Sequence, residues 1–219
     1  MDSALPALVV VVAYLLGSIP FSFLVVKAVA GADIRQHGSR NVGATNVARM
    51  FGRAPGIVAL LLDLAKGVAA VMLARWMVAR PGWPIAADPG GGPLQSREFW
   101  IAIAALTAVV GHMYPLWLRF HGGKGVATAA GAFLAMEVRV VAAALIVFVI
   151  VLIASRFVSL ASIISAATIP LFFRFLTPNA PLWHVLISIV IAILVILKHH
   201  SNIARMARGK ERRMGEPRD

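Results

Sequence analysis

Ile57-Val58-Ala59-Leu60-Leu61-Leu62-Asp63-Leu64-Ala65-Lys66-Gly67-Val68-Ala69-Ala70-Val71-Met72-Leu73-Ala74-Arg75-Trp76-Met77-Val78-Ala79 decides the fold class. About 20 apolar residues in a row are needed to cross a hydrocarbon core roughly 30 Å thick, and this run has that length. Similar runs cover Ala4 to Val29, Phe99 to Leu118, Val140 to Ala154, Val158 to Phe175 and Leu182 to Leu197. A further segment, Gly125 to Met136, is short and rich in alanine and glycine; it crosses if the loop before it dips into the bilayer, and is otherwise re-entrant. The expected architecture is all-α: a polytopic integral membrane protein of seven transmembrane helices, read as one membrane-embedded domain over residues 1–219. Residues 212–219 form a short solvated tail in this reading. Of the 219 residues, 60% are hydrophobic and 14% charged, far from the balance of a soluble domain.

The first run is not expected to be a cleaved signal peptide, because Met1-Asp2-Ser3 carries no positive charge and the apolar stretch is too long. Lysine and arginine set the orientation. With the N-terminus outside, fifteen fall on the cytoplasmic side: Lys27, Arg35, Arg40, Arg49, Arg53, Arg119, Lys124, Arg156, Lys198, Arg205, Arg208, Lys210, Arg212, Arg213 and Arg218. Five fall outside, Arg75, Arg80, Arg97, Arg139 and Arg174, and Lys66 completes the 21 from within a span. The C-terminus is then cytoplasmic. The net charge of +12 follows helix ends and suits anionic lipid headgroups, so no nucleic acid partner is expected. The chain has no cysteine, which removes thiol chemistry and thiolate metal sites.

Loop composition separates connection from chemistry. Arg80 to Pro93 is dense in proline and glycine and reads as an outer linker, with Trp76, Trp83 and Trp100 suited to an interfacial belt. Gly31 to Gly56 is too long for a connection and too polar for a helix core, and it holds many small hydrogen-bonding residues. There Ser39, Asn41, Thr45, Asn46 and Arg49 offer donors to phosphate or hydroxyl groups, although the same residue types also cap helices and turns.

Phe120-His121-Gly122-Gly123-Lys124-Gly125-Val126-Ala127-Thr128 places three glycines around a lysine at the mouth of an apolar segment. Glycines let main-chain N–H groups turn toward an anion, a following helix adds its positive end, and the lysine adds a full charge. A Walker A loop is excluded, since Leu118 and Gly125 stand where it needs glycine and Ser or Thr. Asp63 and Lys66 lie three apart, about 10 Å inside the second span at 1.5 Å per residue. Charges at that depth pair or line a polar interior, so mutual neutralisation is expected. His199 ends the last span three residues before Asn202 and six before Arg205, which places all three on one side of a continuing helix. His112 and His121 flank the glycine loop as supporting residues. No Gly-x-Ser-x-Gly elbow or His-x4-Asp pattern occurs, and the nine carboxylates are too scattered for a metal set; no metal or cofactor is expected.

Three separated segments together resemble the PlsY group of bacterial acyl-phosphate:glycerol-3-phosphate acyltransferases. They are Gly38-Ser39-Arg40-Asn41-Val42-Gly43-Ala44-Thr45-Asn46; Gly111-His112-Met113-Tyr114-Pro115 leading to Gly122-Gly123-Lys124-Gly125; and His199-His200-Ser201-Asn202-Ile203-Ala204-Arg205 followed by Gly209-Lys210-Glu211. Tyr14 to Phe21, Asp63 to Gly67 and Val158 to Ser162 fit in the same order. The resemblance implies a multi-pass enzyme of the bacterial cytoplasmic membrane with its active site facing the cytoplasm. It also implies acyl transfer from acyl phosphate to glycerol 3-phosphate, the first acylation of phospholipid synthesis. Carried over by position, Ser39, Arg49, Lys124, His199 and Asn202 are catalytic. Gly122, Gly123, Gly125, Ser162, Asn41 and Thr45 hold substrate or phosphate, and Asp63, Lys66 and Glu211 give structural support. Arg40 departs from the group, where that position is often small, and the outer loop is longer than the group leads one to expect. The expected partners are the two substrates and membrane lipid, with the protein a monomer. A transporter for a phosphorylated metabolite is the rival class; it predicts repeated halves and midplane polar groups, whereas no repeat is visible here.

Overall fold

The computed structural model describes residues 4–80, 83, 94 and 96–216, and these residues are helical without strands. Most of the outer linker, and residues 217–219 of the tail, lie outside the described residues. The helices are α1 (Ala4–Ser18), α2 (Phe21–Ala30), α3 (Ala44–Phe51), α4 (Arg53–Val78), α5 (Arg97–Met113), α6 (Val126–Met136), α7 (Val138–Ser155), α8 (Val158–Leu176), α9 (Leu182–Lys198) and α10 (His200–Ala207). Five segments are long and apolar enough to cross a membrane: Leu5–Ala30, Arg53–Val78, Arg97–Leu118, Val138–Ser155 and Val158–Leu176. A sixth counts if α9 and α10, bent by 54°, form one span. The eleven residues of α6 reach only about 16 Å, short of a hydrocarbon core.

The chain forms two compact units, residues 1–136 and 137–219. In the first unit, α1 packs on α5 and α4 packs on α6. Both pairings need glycine, which lets backbones approach closely where lipid supplies no hydrophobic drive. A Cβ on Gly67 would strike Thr128 O and Ala132 N, and one on Gly111 would strike Tyr14 O and Ser18 N. The first span breaks at Ile19-Pro20, since Pro20 has no N–H to donate.

The long loop after α2 is a small folded body. Asp33 accepts the Arg35 N–H and starts a 3₁₀ turn, Ile34–Gln36, and α3 follows. The reading of this stretch as too polar for a helix is therefore corrected. Val47 of α3 is fully buried with Val26, Ile34, Val42, Ala59 and Leu118, and that one apolar face suffices.

In the second unit α7 packs on α8 and α8 on α9. Ile146, Ile150 and Ile153 of α7 are 61–75% exposed along one face, which suits contact with lipid. Arg156 turns the chain in the left-handed region (φ 62°). Residues 212–216 are exposed, as a solvated tail should be. They are also fastened: Met214 N–H donates to Arg156 O at 2.7 Å, and Arg156 Nη2 donates to Met214 O at 3.0 Å.

Candidate active site

In the first unit a buried polar cluster lies beside the break in the first span. Lys66 Nζ is 2.9 Å from Asp63 Oδ1, and both side chains are 2% exposed. The same ammonium donates to Ile19 O at 2.8 Å, at the helix break, where that carbonyl also accepts the Phe21 N–H at 3.1 Å. Ser22 Oγ donates to Asp63 Oδ2 at 3.0 Å, and His112 Nδ1 lies 3.5 Å from Asp63 Oδ1. The expected neutralisation of Asp63 by Lys66 is thus present, and two partners join it that the i,i+3 spacing gave no sign of. A narrow open cleft is lined by Ser18, Ser22, Asp63, Lys66, His112, Gly122 and Gly123, among others.

The glycine loop lies against this cluster. Gly123 N–H donates to His112 O at 3.1 Å. Its Cα faces both the His112 imidazole and Val42 O; a Cβ there would overlap the ring and come within 2.6 Å of the carbonyl. Gly123 therefore turns its N–H toward α5 and not outward to an anion, and its lack of a side chain is what lets the loop close down. Gly122 is equally confined, between His112 O and Pro115. Gly125 has φ 83°, a left-handed backbone that suits glycine, and its carbonyl accepts the Ala129 N–H in the first turn of α6. Lys124 between them is half-buried. Two of the three predicted segments thus adjoin, the first through Val42 and the second through Gly123.

Within the first segment, Asn46 has a different role from its neighbours. It is 3% exposed, its Nδ2 donates to His37 O and Asn41 O at 3.1 Å each, and its Oδ1 accepts the Ser39 N–H at 3.1 Å. Its donors are used inside the loop, so the expectation that it offers them to a substrate is corrected. Ser39 and Thr45 are exposed, Asn41 and Arg49 half-buried. Arg40 takes φ 60°. That conformation favours glycine and costs other residues about 1–2 kcal/mol.

In the second unit the helix does not continue through His199 as its spacing suggested, but bends by 54° there. His199 is 3% exposed, and its Nδ1 lies 2.7 Å from Val195 O. A carbonyl can only accept, so Nδ1 carries a proton, and in the neutral ring Nε2 is then the acceptor nitrogen. Beyond the bend, Glu211 gathers three groups. Asn202 Nδ2 donates to Oε1 at 2.6 Å, Ser159 Oγ to Oε1 at 2.8 Å, and Arg205 Nε to Oε2 at 2.7 Å. Burial pushes this carboxyl up, but the hydrogen bonds from Asn202, Ser159 and Arg205 outweigh it and hold it below the usual glutamate value. Ser159 was missed from sequence, although it lies one helical turn before Ser162 on α8. Ser162 is buried, and its hydroxyl donates to Val158 O in its own helix at 2.8 Å. Among the described residues no three His, Cys, Asp or Glu side chains form a group that could hold a metal ion.

The model of one protein family, described as glycerol-3-phosphate acyltransferase, matches residues 7–209. A glycerol-3-phosphate acyltransferase of Geotalea daltonii is 46% identical over 199 residues, covering 91% of this chain and 92% of that one. Another, from Thermosynechococcus vestitus, is 41% identical over 208 residues, covering 95% and 94%. Among solved structures, the glycerol 3-phosphate form of PlsY, an integral membrane glycerol 3-phosphate acyltransferase, is similar with a TM-score of 0.82. It is 35% identical, and the match covers 96% of each chain. The lysophosphatidic acid form of PlsY matches with a TM-score of 0.79 at 34% identity, covering 96% of this chain and 95% of that one.

Proposed function

Since this chain is a member of the glycerol-3-phosphate acyltransferase family, an integral membrane enzyme of the PlsY kind, we propose that its donor is an acyl phosphate and its acceptor the 1-hydroxyl of glycerol 3-phosphate. The products are 1-acyl-glycerol 3-phosphate and inorganic phosphate, in the first acylation of bacterial phospholipid synthesis. The reading takes residues 1–219 as one monomeric domain of the cytoplasmic membrane. It has seven crossings, with α6 as the short one, the N-terminus outside and the site toward the cytoplasm, as the fifteen-to-five distribution of basic residues supports.

The observation that carries this reading is the glycine loop set directly before α6, with Lys124 in it and the Ser39 loop beside it. An acyl phosphate is already activated, so positioning and charge stabilisation can supply most of the rate. In the proposed step the acceptor oxygen attacks the acyl carbonyl carbon, and the bond from that carbon to the phosphate oxygen then breaks. Lys124 and Arg49 neutralise phosphate, Gly122, Gly123 and Gly125 shape its loop, and Ser39, Asn41, Thr45 and Ser162 contribute to substrate binding. Asn202, aligned by Glu211, and His199 orient the acceptor. Nε2 of His199 has the tautomer to take the hydroxyl proton; an oxygen of the departing phosphate is the other acceptor for it.

Purified protein given acyl phosphate, acyl-CoA or acyl carrier protein in turn, each with glycerol 3-phosphate, tests the donor. Phosphate release that requires both acyl phosphate and glycerol 3-phosphate is the expected result, and acylation from acyl-CoA alone refutes it. Replacing His199 by glutamine and following rate against pH tests the base: if the acidic limb persists unchanged, His199 is not the titrating group.

A further inference from the structure

The glycine loop has no regular structure of its own between Phe120 and Val126, yet the proposed binding of phosphate requires the Lys124 ammonium and the start of α6 to be fixed to a fraction of an ångström. His112 of α5 meets Gly123 in two ways. Its carbonyl accepts the Gly123 N–H at 3.1 Å, and its imidazole fills the space where a Cβ on Gly123 would stand. The ring has its own support on the opposite edge, since Nδ1 faces Asp63 Oδ1 at 3.5 Å. Asp63 is in turn fixed by Lys66 at 2.9 Å and Ser22 at 3.0 Å. His112, Asp63 and Lys66 are all buried, at 7%, 1% and 4% exposure.

We infer that His112, braced by Asp63, is a positioning residue for the glycine loop: it acts on phosphate binding through Gly123 and touches neither substrate. Three features favour this over simple charge balance. Lys66 already neutralises Asp63, so a further polar partner is unnecessary for charge. The ring's other edge abuts the loop and not an apolar helix face. The loop is also kept from packing closer, because Val42 O stands beside the ring at the same Cβ position of Gly123. The ring therefore sets how deep the loop lies, and with it where Lys124 and the start of α6 meet a phosphoryl group. This inference rests on the proposed binding of phosphate at that loop.

The test is a double-mutant cycle on the full-length enzyme in lipid or detergent, using His112→Asn, Gly123→Ala and the pair. Asparagine keeps a polar atom for Asp63 but leaves a gap beneath the loop. Steady-state KM and kcat for both substrates are measured, together with competitive inhibition by inorganic phosphate. Gly123→Ala is expected to lose on the order of 100-fold in kcat/KM, the effect of a misplacement near 1 Å. His112→Asn should lose about tenfold, as a rise in KM and in the phosphate inhibition constant, with kcat nearly unchanged. The double variant should recover part of the Gly123→Ala loss, because the methyl group moves into the vacated space; residues in contact couple in this way. Losses that simply multiply overturn the proposal, as does a His112→Asn enzyme that loses kcat at unchanged KM and phosphate inhibition. Should His112→Asn not fold, His112→Gln serves in the same cycle with the same criteria. Wild-type protein that turns over without any inhibition by phosphate refutes the phosphate loop itself, a separate failure visible before any variant is made.

Discussion

The two units build their polar groups by opposite means. In residues 1–136 the glycine loop is shaped by what is missing: Gly122 and Gly123 carry no side chain, and backbone and ring atoms occupy the space a Cβ would need. The charges beneath, Asp63 and Lys66, are sealed at 2% exposure. In residues 137–219 the arrangement is made by a side chain, Glu211, which accepts from Asn202, Ser159 and Arg205 where Arg205 is still 40% exposed. A steric fit around a buried ion pair answers to volume and little to salt. A carboxylate junction with a partly exposed arginine answers to pH. In the proposed reaction, phosphate recognition calls for the first kind of rigidity, while aligning an acceptor hydroxyl is served by the second.

The largest expected effect breaks the sealed side. Asp63→Ala leaves Lys66 buried without its carboxylate, and a thermal or denaturant measurement should show destabilisation of about 3–5 kcal/mol. If the loss is no larger than for exposed pairs, water reaches Lys66 and the contrast is wrong. Next comes Glu211→Ala, which strips three donors of one acceptor and should cost about 1–3 kcal/mol. Proteolysis at the bend between α9 and α10 would register it, with lowered kcat. Because the Glu211 carboxyl is held below its ordinary value, its contribution is fully present above about pH 4.3 and is lost as pH falls through the folded value. Glu211→Gln should therefore flatten the acid side of a stability–pH curve, whereas Gly123→Ala should leave its shape alone. A smaller effect has the opposite sign: Arg40→Gly should stabilise by about 1 kcal/mol through relief of the left-handed backbone, read as a raised Tm. Smallest is Arg35→Ala. Its pair with Asp33 is 2.6 Å long but partly exposed, so a change within about 1 kcal/mol is expected, shrinking further in salt.

Helix content and membrane character were legible because length and hydropathy depend on the chain's local order. The Asp63–Lys66 pair was legible for the same reason, since three residues make one turn. The attachment of His112 to that pair was not: it depends on the register of α5 against α4, which no local pattern in the chain encodes. Ser39 and Asn46 look alike as sequence, both small and polar, and only the folded loop shows that one is exposed while the other ties the loop together. The bend at His199 was equally hidden, since Lys198-His199-His200 contains no proline or glycine. Arg40 was noted as an odd residue; its positive φ explains why a small one suits that place.

The brevity of α6 has a consequence for the lipid itself. α4, at 26 residues, reaches about 39 Å, longer than the roughly 30 Å hydrocarbon core, while α6, about 16 Å long and mostly buried, packs on it and follows its movements. Such mismatch is relieved by thinning, tilting or displacement of polar flanks, each at a fraction of a kcal/mol per ångström. Acyl-chain length in the host membrane thus bears mechanically on the strip of protein that begins at Gly125, and reconstitution into bilayers of graded thickness becomes a way to tune turnover without altering a single residue.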